Sequence, residues 1–284
     1  MQSFLILTTA DLPEAYFLAT FLESMMAPFA LVNIVGRPRH HALRVFFRLG
    51  RKRGPVYLAD LMLARGVDRA RRTLGATGGP RAFPEVDAAL VQSIRARHPH
   101  LDCHDPHADD VLRFVRAQTP DYILLAGAPV LRREFFGLAR RGALNRHLGL
   151  LPDFRGSDCA LWAFALGRPD CAGYSIHVVN ERVDGGAVID RQPVPVRDDA
   201  TLPHYLRRLR REGSEAFVRV LRAVLAGAPL QAVVQGQLGP HFPPAGWSVQ
   251  RRAARNFARL VRTRRAPPDA LPADPDHPLG LLPG

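Results

Sequence analysis

Two short, almost unbroken apolar runs, Phe4-Leu-Ile-Leu-Thr-Thr9 and Phe29-Ala-Leu-Val-Asn-Ile-Val-Gly36, flank a stretch with helical spacing. A strand with one face in water alternates polar and apolar residues, whereas a strand apolar at nearly every position must be covered on both faces. Parallel strands inside an open sheet meet that condition, because the helices that connect them lie across the sheet. Between the runs, Asp11-Leu-Pro-Glu opens a helix in which Phe17, Leu18, Phe21 and Met25 recur near helical spacing. The opening therefore reads as one βαβ unit. The expected class is α/β, Rossmann-like, with a mostly parallel central sheet and helices on both faces. No Gly-x-Gly-x-x-Gly follows the first run, which excludes the dinucleotide fingerprint at that turn.

Further along, Asp121-Tyr-Ile-Leu-Leu-Ala-Gly127 repeats the buried-strand pattern, and strands are also expected over 143–148, 173–179 and 187–196. Helices are expected over much of 37–74 and over 86–97, 110–117, 132–139 and 162–166. Thr201-Leu-Pro203 reads as an N-cap with proline in the first turn. From it Leu206, Leu209, Phe217, Leu221, Val224 and Leu225 lie near one helical face, up to Gly227-Ala-Pro229. These patterns divide the chain into a main domain over 1–235, a short C-terminal extension with a basic helix over 236–266, and a proline-rich tail over 267–284. The tail is expected to be disordered.

Composition narrows the setting. The chain has no apolar run long enough to span a bilayer and no basic segment ahead of its first apolar stretch, so a soluble cytoplasmic protein without a membrane partner is expected. Its 3 cysteines show no Cys-x-x-Cys spacing and fit free thiols. The formal charge of +13 is almost wholly arginine, with Lys52 the only lysine, a bias that a GC-rich codon supply produces without making a binding face. Basic clusters at 37–53 and 251–265 read as solvated helix faces, with a phosphate-bearing ligand or RNA as the alternative. His98, His100, His104 and His107 lack zinc-ligand spacing, and no metal is expected.

The chemistry concentrates in Asn145-Arg-His147-Leu-Gly-Leu-Leu-Pro152-Asp-Phe-Arg155-Gly156, then His177, then Val183-Asp184-Gly-Gly186. An amide that can hold a carbonyl oxygen, an imidazole that can carry a proton and a carboxylate that can orient it are the parts of acyl-type transfer. Each residue alone fits an ordinary structural role, and His177 fits a satisfied strand histidine equally well. Their joint order and spacing are what single them out.

This stretch resembles the signature of the folate-dependent formyltransferases, which act on glycinamide ribonucleotide, methionyl-tRNA, nucleotide sugars or hydroxyornithine. The family pattern Asn-x-His-x-Ser-x-Leu-Pro, Arg-Gly, Trp-Ala and a His seven residues before Asp-x-Gly is met by Asn145, His147, Leu151-Pro152, Arg155-Gly156, Trp162-Ala163, His177 and Asp184. Gly149 departs from the usual Ser, and Cys159 from the usual Pro. The resemblance implies that 1–235 is a formyltransferase catalytic domain and that 10-formyltetrahydrofolate is the formyl donor, with no metal. It also implies Asn145 and His147 as oxyanion donors and Asp184 as the carboxylate that moves protons. Gly185 and Gly186 would let backbone approach the pterin, Val130 and Leu131 would wall its pocket, and His177 would line the same cleft. A cis Leu151-Pro152 bond and an Arg155 that anchors its loop are further expectations.

The implied acceptor is an amine or hydroxylamine of a small molecule such as an amino sugar or an ornithine-type precursor, with a phosphate-bearing one leaning on the 37–53 cluster. The alternatives are a formyltetrahydrofolate hydrolase and a methionyl-tRNA formyltransferase-like enzyme. Residues 230–284 are too few and too strand-poor for the tRNA-gripping barrel of the latter.

Overall fold

A computed structural model describes residues 2–36, 39–73 and 81–265. The glycine-rich stretch 75–80 and the proline-rich tail 267–284 lie outside the described residues, as do most side chains of the 37–53 basic run. The chain opens as expected, with β1 (Phe4–Thr9), α1 (Pro13–Ser24) and β2 (Phe29–Ile34). The two strands run parallel in register from Phe4↔Phe29 to Thr9↔Ile34. Phe4 and Ile6 join one hydrophobic cluster, and Leu5 and Leu7 join the other. Successive side chains thus enter opposite cores, which is why the run has no polar alternation.

Next, α2 (Arg39–Thr73) is helical on both sides of Gly54, whose φ of 83° breaks the helix. Pro55 follows; its ring excludes helical geometry from the residue before it, and only glycine takes the left-handed value easily. Then come α3 (Ala88–Arg97), capped by the Asp87 carboxylate on Leu90 N–H, and β3 (His100–Cys103). This edge strand is short and mostly not buried, so it carried no apolar signal. After it lie α4 (Asp109–Gln118), β4 (Tyr122–Ala126), α5 (Arg133–Phe136), β5 (Gly142–His147), β6 (Arg155–Gly156) and α6 (Cys159–Ala165). The chain continues through β7 (Gly173–Val178), β8 (Val188–Pro193), α7 (Leu202–Leu225), β9 (His241–Phe242) and α8 (Trp247–Arg265). The helix expected over 132–139 is shorter, because the chain leaves it at Gly137.

The main sheet has 7 strands in the order β3-β2-β1-β4-β5-β7-β8. Pairings from β3 to β5 are parallel, whereas β7 and β8 are antiparallel additions. One face packs on α1, α3, α6, α7 and α8 and the other on α4 and α5, so helices cover both faces. The chain winds outward from β1 to β3 and returns to place β4 on the other side of β1. In open α/β sheets ligands bind beside such a reversal, outside the carboxyl ends of the strands.

The segment expected as a C-terminal extension returns to the body. Ala253 and Phe257 of α8 are buried, Phe257 meets the Phe164 ring edge-on at 5.2 Å, and Asn256 Nδ2 donates to Phe164 O at 2.9 Å. Cys103, Cys159 and Cys171 are buried free thiols. Among the described residues no helix is long and apolar enough to cross a membrane.

Candidate active site

Antiparallel pairing of β5 with β7 sets Asn145 directly opposite His177. Directly opposed residues share a face of the sheet, and the Asn145 Nδ2 to His177 Nε2 distance is 3.1 Å. His177 Nδ1 lies 2.9 Å from Val178 O and donates to it, so Nε2 is left as the acceptor for one Asn145 N–H. The second N–H of that amide is available to an oxygen of a ligand. Two residues on, His147 falls on the same face, with Nε2 2.7 Å from Phe154 O.

Arg146, between them, turns to the other face. Its guanidinium donates to Arg210 O at 2.9 Å and Ser214 Oγ at 2.8 Å, and pairs with buried Glu14 at 3.5 Å. The strand that presents Asn145 and His147 is therefore fastened from behind to α7 and α1.

Asp184 follows β7 in a loop and holds φ at 51°. A left-handed conformation costs a residue with a Cβ about 1–2 kcal/mol, so the surroundings must impose it. The carboxylate Oδ2 accepts the Gly156 N–H at 2.8 Å. His147 Nδ1 and His177 Nε2 each stand 3.6 Å from one of its oxygens. These gaps are longer than hydrogen bonds.

Burial alone would raise the Asp184 pKa, but the imidazoles of His177 and His147 in their protonated form, with the Gly156 N–H, outweigh it and bring it to about 2. Burial pushes the His147 pKa below the usual histidine value, against the pull of Asp184 and the Phe154 carbonyl. At neutral pH the resting pair is a neutral imidazole beside a carboxylate. Because His147 Nε2–H is taken by Phe154, its Nδ1 lone pair faces Asp184, and a proton arriving there would sit between the two groups. Asn145 thus keeps an N–H to offer an oxygen, and His147 beside Asp184 keeps a lone pair that can take up a proton.

Two glycines have structural reasons. A Cβ on Gly149 would fall 2.8 Å from His147 Nε2 and 2.9 Å from Phe154 O, so the departure from serine is what admits that contact. A Cβ on Gly186 would fall 1.8 Å from Val178 O, so its need for glycine arises in the fold itself. Gly185 lies in the same loop, its N–H bonded to Arg182 O at 2.9 Å. Leu151-Pro152 is cis, as expected. Arg155 donates to Val183 O and Gly239 O and so anchors two loops.

Other expected residues fall elsewhere. Val130 is 71% exposed on the loop after β4, while Leu131 is buried in the cluster that holds Phe135. His98 stacks on Phe29, His104 faces Gly36 O and His107 accepts the Arg132 N–H, which accounts for these histidines by local packing. Contacts missing from the sequence reading are Phe154 O on His147 and two side chains on the Asp184 loop, Asn180 and Gln235. Only Gly149, an anomaly within its motif, hinted at the first.

A family model described as formyl transferase matches residues 86–221. The methionyl-tRNA formyltransferase of Chlorobium chlorochromatii (strain CaD3) is 30% identical over 183 residues, which are 64% of this chain and 56% of that protein. The methionyl-tRNA formyltransferase of Anaeromyxobacter sp. (strain K) is 36% identical over 115 residues, 40% of this chain and 36% of the other. The chain spans about half the length of the curated relatives it matches. Among solved structures, glycinamide ribonucleotide transformylase 1 from Symbiobacterium toebii superposes with a TM-score of 0.54 at 17% identity, over 83% of this chain and 95% of that one. A sugar N-formyltransferase from Shewanella sp. FDAARGOS_354 gives 0.54 at 12% identity, over 89% and 87%. Both structures speak to the fold alone.

Proposed function

We propose that this chain, which belongs to the formyl transferase family, is an N-formyltransferase that moves a formyl group from 10-formyltetrahydrofolate to an amine or hydroxylamine nitrogen of a small-molecule acceptor. The observation that carries this reading is the convergence of Asn145, His147 and Asp184 on one face at the β5–β7 register. All three fall within 1–235, which we take as the catalytic unit.

In this reading the acceptor nitrogen attacks the formyl carbon, a C–N bond forms, and the carbonyl electrons move onto oxygen. The second N–H of Asn145 meets that oxyanion; one preorganised donor of this kind contributes on the order of a hundredfold or more in rate. The proton shed by the attacking nitrogen passes to His147 Nδ1, where Asp184 stabilises the resulting imidazolium. Collapse of the intermediate re-forms the carbonyl and breaks the bond to the folate nitrogen, which takes a proton as it leaves. The enzyme returns to neutral His147 and ionised Asp184, and atoms and charge balance.

A second reading is favoured by the relatives, several of which are named methionyl-tRNA formyltransferases. It keeps the chemistry and changes the acceptor to an aminoacyl-tRNA. Mass spectrometry of an amine panel that includes aminoacyl-tRNA, incubated with protein and 10-formyltetrahydrofolate, decides. One formyl mass gained on a small amine supports the proposal, and a gain on the tRNA alone supports the second reading. Formate released without any formylated product would make the protein a hydrolase, and absence of folate turnover would overturn all three.

A further inference from the structure

We infer that Gln235, with Arg155 and Asn180, is a positioning residue that holds the catalytic carboxylate of Asp184 in place; the inference rests on the formyltransferase reading and deepens it. Four consecutive backbone carbonyls of the Asp184 loop each accept a side-chain N–H. Val183 O takes Arg155 at 2.7 Å and 3.2 Å, Gly185 O takes Asn180 Nδ2 at 3.2 Å, and a single Gln235 amide nitrogen serves both Asp184 O at 2.9 Å and Gly186 O at 2.6 Å. Carbonyls that point away from regular structure normally go to water or to neighbouring backbone. Here they are collected by side chains from three separate segments.

Gln235 has a place in the fold that suits this work. Residues 231–234 are exposed, with Val233 at 74% and Val234 at 81%, so burial does little to hold the segment. It is fastened by a two-bond bridge, Val233 N–H to Val188 O and Val188 N–H to Val233 O, both 2.8 Å. That bridge sets the segment beside β8, and two residues later the Gln235 side chain reaches the loop. The residue also lies beyond the stretch matched by the family model.

The consequence for chemistry follows from the backbone of Asp184. A left-handed residue with a Cβ persists only where its neighbours over-determine it. Gln235 grips the peptide oxygens on either side of Gly185, so it fixes the turn that aims the carboxylate at His147, His177 and Gly156 N–H. Without that grip the loop keeps its residues and loses their aim.

The test is Gln235→Met, which keeps the length and removes the N–H donors, compared with Gln235→Lys, which restores donors. Amide hydrogen exchange of Gly156 and Gly185 is expected to quicken at least about tenfold in the Met variant, with the amides of β1 and β4 unchanged. Turnover kcat is expected to fall about tenfold to a hundredfold at unchanged KM, as for a misplaced catalytic group, and the Lys variant recovers most of both losses. Unchanged exchange at Gly156 and Gly185 would overturn the inference, and so would faster exchange with wild-type kcat. The exchange measurement needs no turnover, so an inactive wild-type protein would refute the formyltransferase reading while leaving the grip on Asp184 to be judged by itself. Should the Met variant fail to fold, the Lys variant must show wild-type exchange for the inference to stand.

Discussion

Two polar clusters sit at the carboxyl ends of strands in the same sheet, and they differ in how completely they close. On the β1–β2–β3 side, Arg95 donates to both oxygens of Asp11 at 3.2 Å and 3.1 Å and also pairs with Asp102. Tyr16 OH donates to Asp11 at 2.5 Å, and Asn33 ties the two residues together, accepting the backbone N–H of Asp11 and donating to the Asp102 carboxylate, each at 3.0 Å. On the β5–β7 side, Asp184 has one hydrogen bond and two imidazoles held off at 3.6 Å. The first carboxylates face a guanidinium that never gives up its proton; the second stands beside an imidazole, His147, that can take one up or release it. A closed network holds strands together, and a loose one beside histidines leaves room for a proton to move.

Substitutions should separate the two. His147→Gln is expected to lower turnover roughly a thousandfold, the scale of a general acid–base group, with the far-UV circular dichroism spectrum unchanged. Asn145→Ala should cost about a hundredfold in kcat through the lost oxyanion donor, read by steady-state kinetics. Arg95→Met should do the opposite. It should lower stability by about 2 kcal/mol, the worth of hydrogen bonds to charged groups, seen as a Tm drop of roughly 5 °C, while kcat stays within about twofold. A kcat collapse in the Arg95 variant would dissolve the contrast.

The pH dependence sharpens it. His147 is held neutral in the folded state, so below about pH 6.5 the unfolded chain binds a proton that the folded chain refuses, and stability falls as pH falls from there. Asp184, with its pKa depressed to about 2, adds stability at neutral pH that is lost as pH drops from about 4 towards 2. Both effects have the same sign. Thermal melts from pH 8 to pH 4 should therefore show Tm declining below about 6.5, and His147→Gln should flatten that decline.

Much of this was legible in the residues. Strands covered on both faces announce themselves as apolar runs, so β1, β2 and β4 stand out, and the site's motif fixes its own spacing from Asn145 to Asp184. The rest depends on which strands become neighbours. Asn33, Arg95 and Asp102 are unremarkable in sequence and meet because the order is β3-β2-β1. Gln235 reaches the Asp184 loop through a bridge between distant segments that no periodicity encodes. Core and pocket demand the same apolar residues, so Leu131 reads alike for either, and the fold buries it in the cluster with Phe135.

The most direct measurement is on Asp184→Asn, which keeps an acceptor for the Gly156 N–H and removes only the charge. The account predicts formyl transfer reduced by at least about a hundredfold at pH 7, with the far-UV circular dichroism spectrum unchanged. Wild-type turnover in that variant would show that Asp184 belongs with the structural cluster and contradict the mechanism.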